Sequence, residues 1–225
     1  MEKIVRGKDK NETLSEAEIK RLEWTRSRTL EFRRLMSYYR CAIKEVQTKF
    51  EVLDEESSLQ NDRNPINTIK SRLKSLPSII EKLERKGLPV NVESMEAHLN
   101  DIAGIRVVCS FVKDVYTLSE ALLNQDDITL IEMKDYIANP KPNGYRSLHL
   151  IVEIPIFLEK EKRMMKVEIQ LRTIAMDCWA SLEHQLRYKK GTEFTEEMQR
   201  DLLLCAQNSM ELDEKMDKLR SQANI

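Results

Sequence analysis

The 225-residue sequence predicts an α+β layered domain, and three observations carry that prediction. An apolar stripe at three- and four-residue steps opens the patterned part of the chain. Short β-rich runs alternate with helical stretches through its middle. A seven-residue apolar rhythm closes it.

Residues 1–15 read as a polar N-terminal tail ending in two overlapping capping boxes, Thr13-x-x-Glu16 and Ser15-x-x-Glu18, which start a helix. Phe32, Leu35, Tyr39, Ile43, Val46, Phe50 and Leu53 line one face of that helix, expected over residues 16–53. The run DEESSLQNDRN, residues 54–64, reads as a polar break. Pro77 resists one continuous helix over 65–87, so a strand is expected over 66–74, then a helix entered at Pro77. Lys70, Arg72 and Lys74 share a face of that strand, and Ser78, Lys82 and Arg85 form one stacked line on the helix. The same line equally suits a snorkelling basic surface.

GIRVVCSF, residues 104–111, is expected to be a central strand, 113–123 a helix, and 128–137 and 146–155 strands joined by a Pro/Gly loop. In MMKVEIQLR, residues 164–172, Val167, Ile169 and Leu171 alternate with Lys166, Glu168, Gln170 and Arg172. Four polar groups on an internal strand need partners, which a ligand cleft supplies; a wet-faced edge strand is the alternative. A helix after Thr173 brings Asp177 and His184 toward the same place. Thr195 caps a last helix, whose Met198, Leu202, Cys205, Leu212, Met216 and Leu219 must pack on the N-terminal helix or on another subunit. One domain therefore spans 16–225, with its core over 65–190 and an oligomerisation helix over 195–225.

Net charge is −1, so no global basic field draws the chain onto DNA or a membrane, and anion binding must be local. Cys41, Cys109, Cys178 and Cys205 lack zinc-ligand spacing and read as core thiols of a reducing cytoplasm. The opening residues lack the apolar segment of a signal peptide, and no apolar run reaches transmembrane length. The expected location is cytoplasmic.

The densest local signal is KDYIANPKPNGYRSLHL, residues 134–150. Gly144 gives the backbone freedom for a tight approach, Tyr145 can stack on a base, and Lys141 and Arg146 can meet phosphate. Alone, the segment also describes an ordinary solvated hairpin loop. Two acids stand out by position: Asp101, just before a strand, and Glu168, on the polar strand face. Together they suit a hard divalent ion such as Mg²⁺; separately, Asp101 is a turn or cap residue and Glu168 a wet-face residue. There is no Walker loop and no GxGxxG, so side chains must grip the phosphate.

The runs SRLKSLPSIIEKL, DIAGIRVVCSF, KDYIANPKPNGYRSLHLIV and VEIQLRTIAMDCWASLEHQLRYK resemble, in order, the synthetase motifs of the RelA/SpoT family. The likeness covers roughly residues 30–220. The chain is short and shows no companion hydrolase or regulatory domain. It is therefore most similar to the small alarmone synthetases of the RelP/RelQ type.

That resemblance implies a polymerase-β-like nucleotidyltransferase fold, with a mixed central sheet flanked by helices and long helices at both ends. It also implies transfer of pyrophosphate from ATP to the 3′-OH of GDP or GTP, releasing AMP and making ppGpp or pppGpp. Carried over, Arg72, Lys74, Ser78, Lys82 and Arg85 hold ATP, and Arg72 and Arg106 sandwich the adenine. Asp101 and Glu168 hold Mg²⁺, and Glu168 also receives the 3′-OH proton. Tyr145 stacks on guanine, Lys141, Asn143, Arg146 and His149 bind the acceptor, and Gln170 and Asp177 complete its pocket. Some members carry Asn where this chain has Asp177; its carboxylate would accept from guanine N–H groups. The amphipathic helices at both ends predict a homo-oligomer, and the resemblance implies the tetramer of similar synthetases. A rival from another class is a non-catalytic guanine-nucleotide or single-stranded RNA-binding regulator on the same fold. The Asp101/Glu168 pair speaks against it.

Overall fold

The computed structural model describes residues 16–61, 63–187 and 194–223. The capping boxes at Thr13 and Ser15 and the tail 1–15 lie outside the described residues. Helix α1 (Glu16–Asn61) leads into β1 (Ile66–Leu73), α2 (Leu76–Arg85), α3 (Val92–His98), β2 (Ala103–Cys109) and α4 (Val112–Leu123). Then come β3 (Thr129–Asp135), β4 (Leu148–Phe157), β5 (Lys162–Thr173), α5 (Ile174–Arg187) and α6 (Glu196–Ala223). The strands form one five-stranded mixed sheet in the order β1-β2-β5-β4-β3, in which only β2 and β5 run parallel.

The period-two pattern of β5 decides the layering. Val167, Ile169 and Leu171 are fully buried on one side, against a core that includes Leu35, Tyr39, Val46 and Phe50 of α1. β5 is the central strand, so its other face, with Lys166, Glu168, Gln170 and Arg172, is not an edge. Each of those polar side chains has partners. Lys166 Nζ donates to Glu96 O at 3.3 Å, and the other three bond within the cleft described below.

Several expectations change. α1 runs through the expected break at residue 54 as far as Asn61, because DEESSLQN contains neither glycine nor proline to stop it. Asp54 instead staples the exit: its carboxylate accepts from Ile66 N and Asn64 Nδ2, both at 2.9 Å. Of the four cysteines only Cys109 is buried; Cys178 and Cys205 are exposed. α6 packs chiefly on α5, with a lighter contact to α4, rather than along α1. Its inward line is Leu202, Ala206, Ser209, Asp213 and Asp217, whereas Leu212, Met216 and Leu219 of the seven-residue rhythm face outward. Thr195 does cap it, accepting from Met198 N at 3.2 Å. Among the described residues no helix is long and apolar enough to cross a membrane.

Candidate active site

Sheet register assembles the site. One row crosses β1, β2 and β5 as Arg72, Gly104 and Glu168; the next crosses all five strands as Lys70, Arg106, Gln170, His149 and Lys134. Gly104 places no side chain between Arg72 and Glu168, and the space it leaves is part of a cavity of about 220 Å³ also lined by Lys70, Arg106 and Gln170. The polar strand face is therefore the wall of a cleft.

The β1–α2 connection supplies one end. Lys74 N donates to Ile102 O at 2.8 Å, extending the ladder past β1 and setting Lys74 beside Asp101. Asp101 itself is pinned between Leu99 and Ile102, both fully buried. Ser75 caps α2 with Pro77 in the first turn, and the buried Ile79 and Leu83 turn Lys82 toward the acid. Lys74 and Lys82 each place Nζ 2.7 Å from Asp101 Oδ2. Burial is the strongest single influence on Asp101 and favours its neutral form. The two lysine hydrogen bonds and charges together outweigh it and hold the carboxyl below its ordinary value. Asp101 Oδ1 is buried with no partner among the described residues.

Glu168 behaves oppositely. Burial, then the charge of Asp101, push its carboxyl upward, against a hydrogen bond from Gln170 and the charges of Lys82 and Arg72. The two carboxylates are thus driven apart in acidity, Asp101 toward its ionised form and Glu168 toward its protonated form.

At the other end β4 and the 136–147 segment converge on β5. Tyr145 Oη lies 2.8 Å from His149 Nε2 and accepts from Arg172 Nη2 at 2.7 Å. Tyr136 stands edge-on to both rings, and Lys141 Nζ sits over Tyr136 and Tyr145 at 4.6 and 4.8 Å from their centres. Burial, then the charges of Arg172, Lys141 and Lys134, press the His149 ring down to about 3. His149 is therefore neutral, and its 3.7 Å approach to Glu168 is not an ion pair. Asp177, in the first turn of α5, meets Arg106 and Arg172 at 3.1 Å and Lys70 at 3.9 Å, joining the two ends. Arg106 is pressed below the usual guanidinium range by burial and then by Arg172, with Asp177 opposing.

The structure thus brings together Arg72, Lys74, Lys82, Asp101, Arg106, Tyr145, His149, Glu168, Gln170 and Asp177, with Lys141 at the rim. Ser78 sits in the first turn of α2, its hydroxyl 3.0 Å from that of Ser75, while Arg85 is exposed at the far end of that helix. Two expected acceptor ligands point elsewhere. Arg146 is buried and donates to Asp213 Oδ2 at 2.9 Å on α6, because it alternates with Tyr145 and faces away from the cleft. Asn143 spends its Oδ1 on the turn, accepting from Tyr145 N at 3.2 Å, and borders a groove beside α5 and α6. His184 is exposed, two turns beyond Asp177.

Sequence reasoning placed Lys70 and Arg172 on their strand faces without giving either a role in the site, and it passed over Tyr136. Arg172 is only 4% exposed, yet it bonds Asp177, Tyr145 and Gln170 and lies 5.1 Å from the Tyr145 ring centre. The alternation that singled out Glu168 and Gln170 applies to it equally.

A family model described as a region found in RelA / SpoT proteins matches residues 71–193. The chain is 43% identical over 186 residues to the GTP pyrophosphokinase YwaC of Bacillus subtilis (strain 168), covering 83% of this chain and 89% of that protein. To the GTP pyrophosphokinase YjbM of the same strain it is 35% identical over 193 residues, covering 85% and 90%. Among solved structures, small alarmone synthetase 2 from Bacillus subtilis superposes with a TM-score of 0.77 at 42% identity, covering 85% of this chain and 99% of that one. Small alarmone synthetase 1 from the same organism, bound to its product pppGpp, also gives 0.77, at 35% identity, covering 85% and 97%.

Proposed function

The chain belongs to the RelA/SpoT family and is a GTP pyrophosphokinase of the small alarmone synthetase type, and from that premise we propose how its cleft performs the reaction. The activity moves pyrophosphate from ATP to the 3′-OH of GDP or GTP. The 3′-oxygen forms a bond to the β-phosphorus, the bond from that phosphorus to the α,β-bridging oxygen breaks, and AMP leaves. The 3′-OH proton goes to Glu168. The observation that carries this assignment is the placement of Glu168 on the cleft wall, across Gly104 from Arg72, with Asp101 and its two lysines at the same end of the cleft.

Arg72, Lys74, Ser78, Lys82, Arg85 and Arg106 are assigned to ATP. Arg72 and Arg106 lie on adjacent strands of the same cavity, which suits two guanidinium planes flanking an adenine. Asp101 holds Lys74 and Lys82 at the end of the cleft assigned to the triphosphate. Tyr145, His149, Gln170 and Asp177 are assigned to the guanosine nucleotide, with Tyr145 as its stacking platform. Lys141 is exposed and covers that ring, so an incoming base displaces it toward phosphate. Arg172 holds Tyr145 in place rather than touching the nucleotide. Positioning and charge neutralisation carry most of phosphoryl-type transfer, and these residues supply both.

Asp101 and Glu168 are the carboxylates that would hold Mg²⁺. The residues fit it: Asp101 Oδ1 is a hard donor buried without a partner. Among the described residues no third His, Cys or carboxylate joins them. That suits an ion which completes its shell with substrate phosphate and water. When bound, the ion offsets charge on the migrating pyrophosphate and the departing AMP. The nucleotide substrates assign the chain's work to the cytoplasm.

Incubation with ATP, GDP and Mg²⁺ should release AMP one for one with a guanosine tetraphosphate. Guanine-nucleotide binding without AMP release would point to the non-catalytic regulator instead. A homo-oligomer, the expected tetramer, is supported by the outward stripe of Leu204, Leu212, Met216 and Leu219 on α6. Sedimentation at micromolar concentration should give a mass of four chains, and a monomer's mass would remove that part of the reading.

A further inference from the structure

The acceptor loop is held from behind by α6. Gly144 adopts φ +88° and comes so close to α6 that a Cβ built on it would lie 2.4 Å from Ala206 Cβ and 3.3 Å from Leu203 Cδ1. Two residues on, Arg146 crosses beneath the sheet end to Asp213; both are more than nine-tenths buried. Asp213 is also hydrogen-bonded to Thr173, the residue that ends β5 and opens α5. Trp179 Nε1 donates to Leu202 O at 2.9 Å, locking α5 to the same helix. Ala206 and Asp213 are seven residues apart and on one face, so they meet the loop as a single ridge. Tyr145 lies between the two attachment points, and its ring is the one aimed into the cleft.

We propose that α6 sets the position of the guanosine-nucleotide loop, with Asp213 and Ala206 as positioning residues that fix Tyr145 from behind without touching the nucleotide. The proposal rests on the assignment of Tyr145 to the acceptor nucleotide. It makes α6 part of the acceptor half of the cleft, whereas the ATP half is built on β1 and α2, away from it.

Two variants address the two attachment points separately. Asp213→Asn removes the charge opposite Arg146, and Ala206→Val adds bulk where Gly144 has no room. Each should raise the KM for GDP by about tenfold, leave the KM for ATP within about twofold, and keep kcat at saturating nucleotide near the parent value, since a misplaced platform costs binding before chemistry. Equilibrium binding of a fluorescent GDP analogue should weaken in parallel. A third variant, Arg146→Met with Asp213→Leu, exchanges the buried pair for an apolar contact, which often preserves packing. It should recover at least half of the lost GDP affinity. If both KM values rise together, or neither moves, α6 has no specific hold on the acceptor loop. If the double variant binds GDP more weakly than Asp213→Asn does, Arg146 contacts the nucleotide directly and the proposal fails. The parent chain, assayed alongside, reports independently on whether the synthetase reading stands.

Discussion

Glu168→Gln should abolish turnover, with a fall of at least about a thousandfold in kcat while the fold is kept, as expected for loss of a general base that is also a metal ligand. The amide matches the carboxylate in shape but can neither receive the 3′-OH proton nor bind a hard cation well. Folded-state linkage separates this from structural damage. Burial and Asp101 raise the Glu168 pKa, so above its unfolded value the ionised side chain costs stability rather than adding it. Removing the charge should therefore leave the melting temperature unchanged or higher. The pH profile gives a second check on the parent enzyme. Its rate should fall with acid as Glu168 takes up a proton, and that limb should be missing from any residual activity of the variant. A Glu168→Gln enzyme with parental synthesis would remove Glu168 from both roles.

Asp101→Asn should have the next largest effect, lowering kcat/KM by about a hundredfold or more and raising the Mg²⁺ concentration needed for half-maximal rate. Here the sign of the stability change reverses. Asp101 is held below its ordinary pKa by Lys74 and Lys82, so its ionisation stabilises the fold above the unfolded value of 3.8, and that contribution is lost as pH falls through the lower folded value. The asparagine leaves two part-buried ammonium groups, 14% and 24% exposed, facing a neutral partner. Urea unfolding at pH 7 should therefore show a lower midpoint for Asp101→Asn than for the parent, opposite to Glu168→Gln. If both variants shift stability in the same direction, the opposed acidity of the pair is wrong. If Asp101→Asn keeps its Mg²⁺ dependence, Asp101 orders lysines only.

The cleft was legible because the signals for it are local. Glu168, Gln170 and Arg172 share a face by simple alternation, and β5 presents that face as expected, at the centre of the sheet. The turn from β1 into α2 was legible from Pro77, whose fixed φ suits a first helical turn and nothing further in. The end of α1 was misjudged because polar composition alone does not stop a helix; a stop needs glycine, proline or a competing cap. The cysteines were misjudged because thiols are usually buried, while α5 and α6 happen to carry Cys178 and Cys205 on their open faces. Arg146 was misjudged for a further reason. A cation beside Tyr145 looks like a phosphate ligand until its true partner is seen, and that partner lies 67 residues along the chain.

By itself the sequence determined most of the strands and helices, though not α3 or the end of α1, and which face of β5 is polar. Those follow from side-chain periodicity and backbone preference, which act within a few residues. Only the tertiary structure decided which cations face the cleft and which way the acidity of each carboxylate is pushed. Acidity and orientation depend on burial and on charges brought near by strand order. Asp101 meets its lysines from 27 and 19 residues away, and no local pattern encodes that meeting.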